Sequence, residues 1–177
     1  MIVYNSSIEI KTINNRNFYC DVTSQVKKTI EESNIENGIC VVMSPHTTCS
    51  ILFEEYSHDF KDSKEEFLQL DLDNVLNQVI PDHVSDKDYW FPGPEHIKFA
   101  NSINKKYEKN KQKHKQFEKK HLLNADAHLK ATLIGSSETF IIEKSTIQIG
   151  EFGYIYFIDW DRTRDRIRHC KIQILGM

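Results

Sequence analysis

Two short motifs each place a histidine beside small polar residues. Residues 44–50 read Ser-Pro-His-Thr-Thr-Cys-Ser, and residues 124–130 read Asn-Ala-Asp-Ala-His-Leu-Lys, with Gly-Ser-Ser following at 135–137. A histidine can ligate a metal or act as a general acid or base near neutral pH, and neighbouring hydroxyl and backbone N–H groups can hold phosphate oxygens. Each motif therefore predicts part of a site, while a structural role for His46 is an equally open interpretation. His128 is a stronger site candidate because residues 124–126 predict a helix N-terminus beside it, and such an end attracts anions.

Charged residues supply further candidates. Glu54 and Glu55 are consecutive, so in an extended strand they point to opposite faces and only one of them can face a site. Arginines recur at every second position, at Arg162, Arg164, Arg166 and Arg168. In a strand this spacing puts guanidinium groups on one face, where they suit phosphate or carboxylate binding. Protection of an exposed sheet edge is the alternative, and aspartates 159, 161 and 165 could neutralise the arginines locally.

The first half of the chain predicts elements that would carry the His46 motif. Loose alternation over residues 8–19 predicts an antiparallel hairpin with its turn at 14–15, and Thr23 suits the N-cap of a short helix. Buried strands are predicted at 38–43 and 49–53, so His46 lies between them. Ser63 and Glu66 form a capping-box pattern ahead of a helix that Pro81 ends.

The second half predicts a helix and then strands. Asn124 suits an N-cap and Gly135 a C-terminal cap, so residues 125–134 should form one helix with His128 about one turn in. Four strands follow at 139–143, 146–149, 153–158 and 167–175. Strands around two or three helices indicate an α+β fold, a single-domain sandwich over residues 1–177 with a large, mostly antiparallel or mixed sheet.

Composition excludes several classes of protein. The 177 residues are 39% hydrophobic and 28% charged, and no apolar run is long enough for a membrane span, so a cytoplasmic protein is expected. The net charge of −3 argues against general nucleic-acid binding. The four cysteines form no Cys-x-x-Cys pair and are expected to be buried free thiols.

Residues 102–120 stand apart because they carry eight lysines against two glutamates. Tyr107 and Phe117 are the only aromatic residues there that could stack on bases. A solvated helix or insertion is therefore favoured over a nucleic-acid patch, which stays open as a third hypothesis for the chain.

Several motifs in the same order resemble the YjbQ family over nearly the whole chain. They are His46-Thr47-Thr48, Glu55, residues 124–130 and 135–137, Gly150, and Arg166-x-Arg168 in a run that ends at 174–176. That family is often described as a secondary thiamine-phosphate synthase. The resemblance implies an α+β homotrimer with a site near subunit boundaries. A trimer could also cover both faces of the nearly continuous apolar strand 153–158.

The resemblance implies a role for each matching residue. The catalytic residues would be His46, Glu55 and His128. The substrate-binding residues would be Thr47, Thr48, Asn124, Ser136, Ser137, Arg166 and Arg168. A divalent metal, zinc or magnesium, would be held by His46, His96 and His128, with His114 or His121 as alternatives to His96. Asp71 falls where the family has an aspartate on its helix.

This sequence also departs from the family pattern. Residues 150–153 read Gly-Glu-Phe-Gly where many members have Gly-Thr-Trp-Gln, and residues 161–165 replace an Asp-Gly-Pro-Arg turn. The first hypothesis is an enzyme that condenses a pyrimidine diphosphate with a thiazole phosphate and releases pyrophosphate. The second is a non-catalytic trimer that binds a metal or a phosphorylated small molecule.

Overall fold

The structure is a computed structural model that describes residues 1–13, 15–62, 65–109 and 119–177, the side chains of 104–109 and 119 excepted. The strands are β1 Ile2–Thr12, β2 Phe18–Asp21, β3 Gly38–Met43, β4 Cys49–Glu55, β5 Phe60–Lys61, β6 Glu65–Glu66, β7 Ser137–Glu143, β8 Thr146–Ile147, β9 Gly153–Asp159 and β10 Arg166–Gly176. The helices are α1 Thr23–Ser33, α2 Phe67–Val79, α3 Pro94–Lys109 and α4 Ala125–Ile134, and Lys119–Leu122 form a 3₁₀ turn.

The strands form two principal antiparallel sheets. In the described residues the five-stranded sheet has the order β1-β10-β3-β7-β8, and the three-stranded sheet has the order β2-β9-β4. β5 and β6 pair with each other. The predicted α+β class is confirmed, and its large sheet is divided into these two. No helix of the described residues is long and apolar enough to cross a membrane.

Apolar side chains lie on both faces of the three-stranded sheet. The main cluster joins the two sheets and α1 and includes Val26, Cys40, Ile155, Phe157 and Ile172. A second cluster joins β9 to α2 and α4 and consists of Leu76, Ala127, Ala131, Tyr156, Ile158 and Trp160. Successive β9 residues therefore enter different clusters, which explains the nearly continuous apolar sequence of this strand. Because the chain itself covers both faces, β9 supplies no argument for a trimer.

The predicted hairpin at the start of the chain is wrong. β1 pairs along its whole length with β10, from Ile2 opposite Gly176 to Thr12 opposite Arg166, whereas β2 pairs with β9 in the other sheet. The chain thus crosses between sheets where the turn was expected. Asn15 has a φ of 79° there and Asn14 lies outside the described residues. An eleven-residue partner strand offers more ladder hydrogen bonds than the four residues of β2.

The sequence predicted the starts of the helices more accurately than it predicted their capping hydrogen bonds. α2 begins at Phe67, so Glu66 precedes it and makes no capping bond, while Ser63 lies outside the described residues. Asn124 precedes α4 as predicted but its side chain does not cap the helix. α1 includes Thr23, one position later than an N-cap. Of the lysine-rich stretch, 102–109 belong to α3, and 110–118 lie outside the described residues.

The cysteines are free thiols, as predicted. Cys40, Cys49 and Cys170 are buried and Cys20 is half-buried. Burial raises the pKa of the Cys40 and Cys170 thiols to about 12, which leaves them protonated and weakly nucleophilic at neutral pH.

Candidate functional site

His46 lies on the loop between β3 and β4, half-buried against β10. Its Nε2 accepts a hydrogen bond from the backbone N–H of His169 at 2.9 Å, and the two imidazole rings stack with centroids 6.2 Å apart. Burial, and then the positive charge of Arg168, lower the pKa of His46 below its ordinary value. The imidazole is therefore neutral at pH 7. Because Nε2 is an acceptor, the single ring proton lies on Nδ1 and can be donated to a ligand.

His128 lies one turn into α4 and meets the His46 loop. Burial lowers the pKa of His128, and a hydrogen bond with the backbone of Thr47 opposes this effect. The structure thus brings the two histidine motifs, which are 82 residues apart by their numbers, to one place. Thr47 itself is exposed at this contact.

Phe91 links His128 to His96. Its ring centroid is 4.6 Å from that of His96 and 5.5 Å from that of His128. His96 is thus beside the site, at the start of α3. His114 lies outside the described residues, and His121 is buried with its backbone carbonyl accepting from Thr163 Oγ1 at 3.4 Å.

These imidazoles do not form a metal-ligand set as they are placed. His46 Nε2 is already occupied by a backbone N–H group, and Phe91 packs against both of the other histidines. Across the described ranges, no three His, Cys, Asp or Glu side chains are grouped so that they could hold a metal ion. The residues present therefore do not fit a three-histidine zinc or magnesium site.

Arg168 is buried and held by a carboxylate. Its Nε and Nη2 donate to the two oxygens of Asp159 at 2.7 and 2.9 Å, and Nη2 also donates to Thr48 Oγ1 at 2.9 Å. Asp159 in turn accepts from Thr12 Oγ1 at 2.8 Å. This two-point geometry fixes the guanidinium plane. Arg168 and Thr48 therefore hold the His46 loop against β10, and Asp159 joins both sheets.

Arg166 is the less completely partnered arginine. Its Nη2 donates to Asp161 and to Thr163 Oγ1 at 3.4 Å, whereas its Nε is buried without a partner. Burial and then the charge of Arg168 lower the pKa of Arg166 against the attraction of Asp161. Burial, followed by Arg166, lowers the pKa of Arg164 to about 10. Burial and mutual repulsion thus both disfavour the charged form of these guanidinium groups, and a nearby anion would offset both effects.

Asp161 organises the residues around the arginines. Burial raises the pKa of its carboxyl, but the charge of Arg166 and the hydrogen bonds from Thr163 and Asn124 lower it by more. The net shift of the pKa is downward, so the carboxylate stays ionised. It accepts from Asn124 Nδ2 at 2.8 Å and from Thr163 Oγ1 at 2.6 Å. The side chain of Asn124 thus supports the arginine cluster from the start of α4.

Ser136 and Ser137 approach the His46 loop through their backbone. The Ser136 carbonyl accepts from Ser44 N at 2.8 Å, and Ser137 pairs with Met43 in the ladder between β7 and β3. Both serine residues are exposed. They anchor the start of the loop, two residues before His46.

Glu55 does not lie with the histidines. It is exposed at the end of β4, whereas the His46 loop precedes the start of that strand. Six residue steps of about 3.3 Å put these ends roughly 20 Å apart. Glu54 is the glutamate that turns inward: its Oε2 is buried without a partner, and burial followed by Glu66 raises its pKa to about 7.

The two aspartates of α2 also divide into one that is exposed and one that faces the protein. Asp71, the residue expected from the family resemblance, is exposed. Asp73 faces β2 instead and accepts from Asn17 Nδ2 at 2.8 Å and Tyr19 OH at 2.7 Å.

Sequence reasoning missed His169 and Phe91. His169 carries no local motif, and its role comes from a backbone N–H whose position depends on the pairing of β10 with β3. Phe91 lies in a Pro- and Gly-containing loop, and a single aromatic residue in such a loop carries no functional signal.

Residues 6–177 match the family model described as UPF0047 protein YjbQ-like. A UPF0047 protein of Methanocaldococcus jannaschii is 28% identical over 164 residues, which cover 93% of this chain and 90% of that protein. The UPF0047 protein YugU of Bacillus subtilis is 25% identical over 171 residues, covering 96% and 98%.

Solved structures show the same likeness. An uncharacterised conserved protein of the YjbQ/UPF0047 family from Clostridium acetobutylicum superposes with a TM-score of 0.65 and 28% identity, covering 96% of this chain and 99% of that one. A YbjQ-like protein of unknown function from Sulfolobus solfataricus has a TM-score of 0.65 and 23% identity, covering 99% and 100%. At 23% identity, the second comparison shows similarity of fold alone.

Proposed function

Because this chain belongs to the YjbQ-like UPF0047 family, we propose that it binds a phosphorylated small molecule where the arginines of β10 meet the two histidine motifs. The observation that carries this proposal is Arg166, whose Nε is buried without a partner although its guanidinium is charged. A buried charged donor without an acceptor is costly, and a phosphate oxygen would satisfy it.

The groups around Arg166 have complementary roles in this proposal. Arg166 and Arg164 would bind phosphate oxygens, while Arg168, already held by Asp159, would position the strand. His46 would donate from Nδ1. His128 would donate one ring N–H to the backbone of Thr47. Its other ring nitrogen could then accept a proton, because its lowered pKa keeps the imidazole neutral at pH 7.

The finer proposal is a thiamine phosphate synthase-like transferase. It would condense a pyrimidine diphosphate with a thiazole phosphate, so that a C–N bond forms to the thiazole nitrogen and the C–O bond to pyrophosphate breaks. The leaving pyrophosphate gains negative charge in that step, and guanidinium groups stabilise such charge. Glu55 has no part in this site within one subunit, since it lies at the opposite end of β4.

A second candidate is a phosphate-binding homotrimer without catalytic activity. It is favoured by the carboxylates that already pair with Arg166 and Arg168, and by the separation of Glu55 from both histidines. The two candidates share the anion site and differ in turnover.

Titration with pyrophosphate at constant salt tests the anion site. Arg166→Ala should weaken binding at least tenfold, which corresponds to about 1.4 kcal/mol. Arg16→Ala is the matched control. Arg16 forms a partly exposed ion pair with Glu65, at an N–O distance of 2.8 Å, and this pair lies apart from the histidine motifs. An Arg166→Ala protein that folds and binds pyrophosphate like the wild type would overturn the proposal.

Release of pyrophosphate from the two phosphorylated substrates then separates the candidates. Turnover that His128→Gln abolishes, with pyrophosphate binding retained, supports the transferase. Tight binding of the pyrimidine diphosphate without turnover supports the non-catalytic protein.

A further inference from the structure

A cavity lies between the segment that follows α2, the start of α4 and the β9–β10 loop. Its volume is about 250 Å³, and its walls include His83, Asn124, Asp126, Arg162 and Thr163. A water molecule occupies about 30 Å³ of liquid, so the space is larger than a single water needs. The cavity borders the arginine site, because Asn124 and Thr163 both hydrogen-bond to Asp161, but no ligand group has been assigned to it above.

His83 contributes a hydrogen-bond donor without an acceptor. The side chain is only 6% exposed, and its Nδ1 accepts from the backbone N–H of Ala125 at 3.1 Å. In a neutral imidazole the proton then lies on Nε2. That Nε2 atom is buried and has no partner.

Asn124 contributes a hydrogen-bond acceptor without a donor. It is 8% exposed, and its Nδ2 donates to the buried carboxylate of Asp161 at 2.8 Å, which fixes the orientation of the amide. The Oδ1 atom is then an acceptor, and it too is buried without a partner. Buried polar atoms in folded proteins nearly always have a hydrogen-bond partner, so two orphan atoms on residues that line one cavity point to a ligand.

The charges of the cavity wall are already matched. Asp126 Oδ2 accepts from Arg162 Nη2 at 2.8 Å, and Arg162 Nη1 also donates to Asp82 at 2.7 Å. A charged ligand would therefore lose its hydration without gaining a counter-charge. A neutral group suits the cavity better.

We propose that this cavity binds a neutral amide-type group, in which an N–H donor stands beside a carbonyl or ring-nitrogen acceptor. The ligand acceptor takes the proton of His83 Nε2, and the ligand N–H donates to Asn124 Oδ1.

Nicotinamide is a suitable probe, with nicotinate as its charged counterpart. In a ¹H–¹⁵N NMR titration of the wild-type protein, the backbone signals of Ala125 and Thr163 should shift and saturate with nicotinamide. Nicotinate should bind at least tenfold more weakly, because it replaces the N–H donor with a negative charge. Equal binding of both probes, or no saturable shift, would overturn the proposal.

Two variants locate the probe. His83→Phe keeps a ring against Tyr89, which lies 5.0 Å away, but removes the donor, and it should weaken nicotinamide binding at least tenfold. Val79→Ala, at an exposed position at the end of α2, should leave it unchanged. If His83→Phe does not fold, a crystal structure of the wild type soaked in nicotinamide decides: an amide between His83 and Asn124 supports the proposal, and only water there refutes it.

Discussion

Replacement of Glu54 by glutamine should make the protein more stable at alkaline pH. The Glu54 carboxyl faces Glu66 and Tyr156 behind β4, and its Oε2 is buried without a partner. Burial and then the charge of Glu66 raise its pKa from 4.5 to about 7. Glutamine has nearly the same shape and never ionises, so it removes the unfavourable charge and little else.

The sign and size follow from proton linkage. Between pH 4.5 and about 7 the folded state binds this proton more tightly than the unfolded state, so the free energy of unfolding falls as the pH rises through that range. The full difference corresponds to about 3 kcal/mol. Since roughly half of the side chain is screened by solvent, we expect about 1–2 kcal/mol. At pH 8 the Glu54→Gln protein should be more stable by that amount, and at pH 4.5 the two proteins should be nearly equal.

Urea denaturation followed by circular dichroism from pH 4.5 to pH 8 measures this difference. Glu55→Gln is the matched control, because the neighbouring side chain is exposed on the opposite face of β4. Because this side chain lies in solvent, its replacement should change the free energy of unfolding by about 0.5 kcal/mol or less. If Glu54→Gln and Glu55→Gln show the same pH dependence, the assignment of Glu54 as the buried carboxyl is wrong.

Three other predictions concern the arginine site, the carboxyl groups beside Glu54, and the two histidines. Asp159→Asn should lower the free energy of unfolding by about 3–5 kcal/mol, because Arg168 stays buried after losing its ion pair; a urea midpoint close to that of the wild type would contradict this. Tyr156→Phe should cost about 1–3 kcal/mol in the same assay, since Glu66 loses the hydroxyl that bonds both of its oxygens at 2.9 and 3.1 Å. In NMR titrations His46 and His128 should have midpoints below 6.5, so between those midpoints and pH 6.5 they should make stability rise with pH; midpoints at or above 6.5 would refute their burial.

Local patterns were sufficient for most element positions. β3 is found at 38–43 and α4 at 125–134, as predicted, because a short apolar run and a helix bounded by Asn124 and Gly135 each carry their signal within a few residues. The same local signals placed His46 at the end of one element and His128 near the start of another. Their proximity was expected from the family resemblance and from the small polar residues that both motifs place at the end of an element.

Strand pairing could not be predicted in this way. β1 and β10 lie at opposite ends of the chain, and their partnership depends on many long-range contacts that no short window contains. The nearest strand in sequence is the usual first choice for a partner, which is why a hairpin with β2 was expected. Pairing of β2 with β9 then puts β1 and β2 in different sheets.

The choice between Glu54 and Glu55 was also beyond local reasoning. Alternation shows that the two side chains face opposite sides of β4, but both sides of this sheet carry an apolar cluster. Phe53 and Glu55 share one face and are exposed at the end of the strand, whereas Glu54 turns toward Glu66. Which face is covered at that end depends on where α2 and the segment before it pack.

The long-range pairing of β10 is what creates the candidate site. Arg166 and Arg168 share one face of the strand, so the same alternation that brings Arg168 to Asp159 brings Arg166 to Asp161. The intervening backbone carries the N–H of His169 to His46. One strand therefore sets the plane of a guanidinium group, leaves another guanidinium with an unpartnered Nε, and selects the tautomer of a histidine. A one-residue slip of β10 would undo all three, which is why register, and not residue type alone, decides whether these side chains can bind an anion.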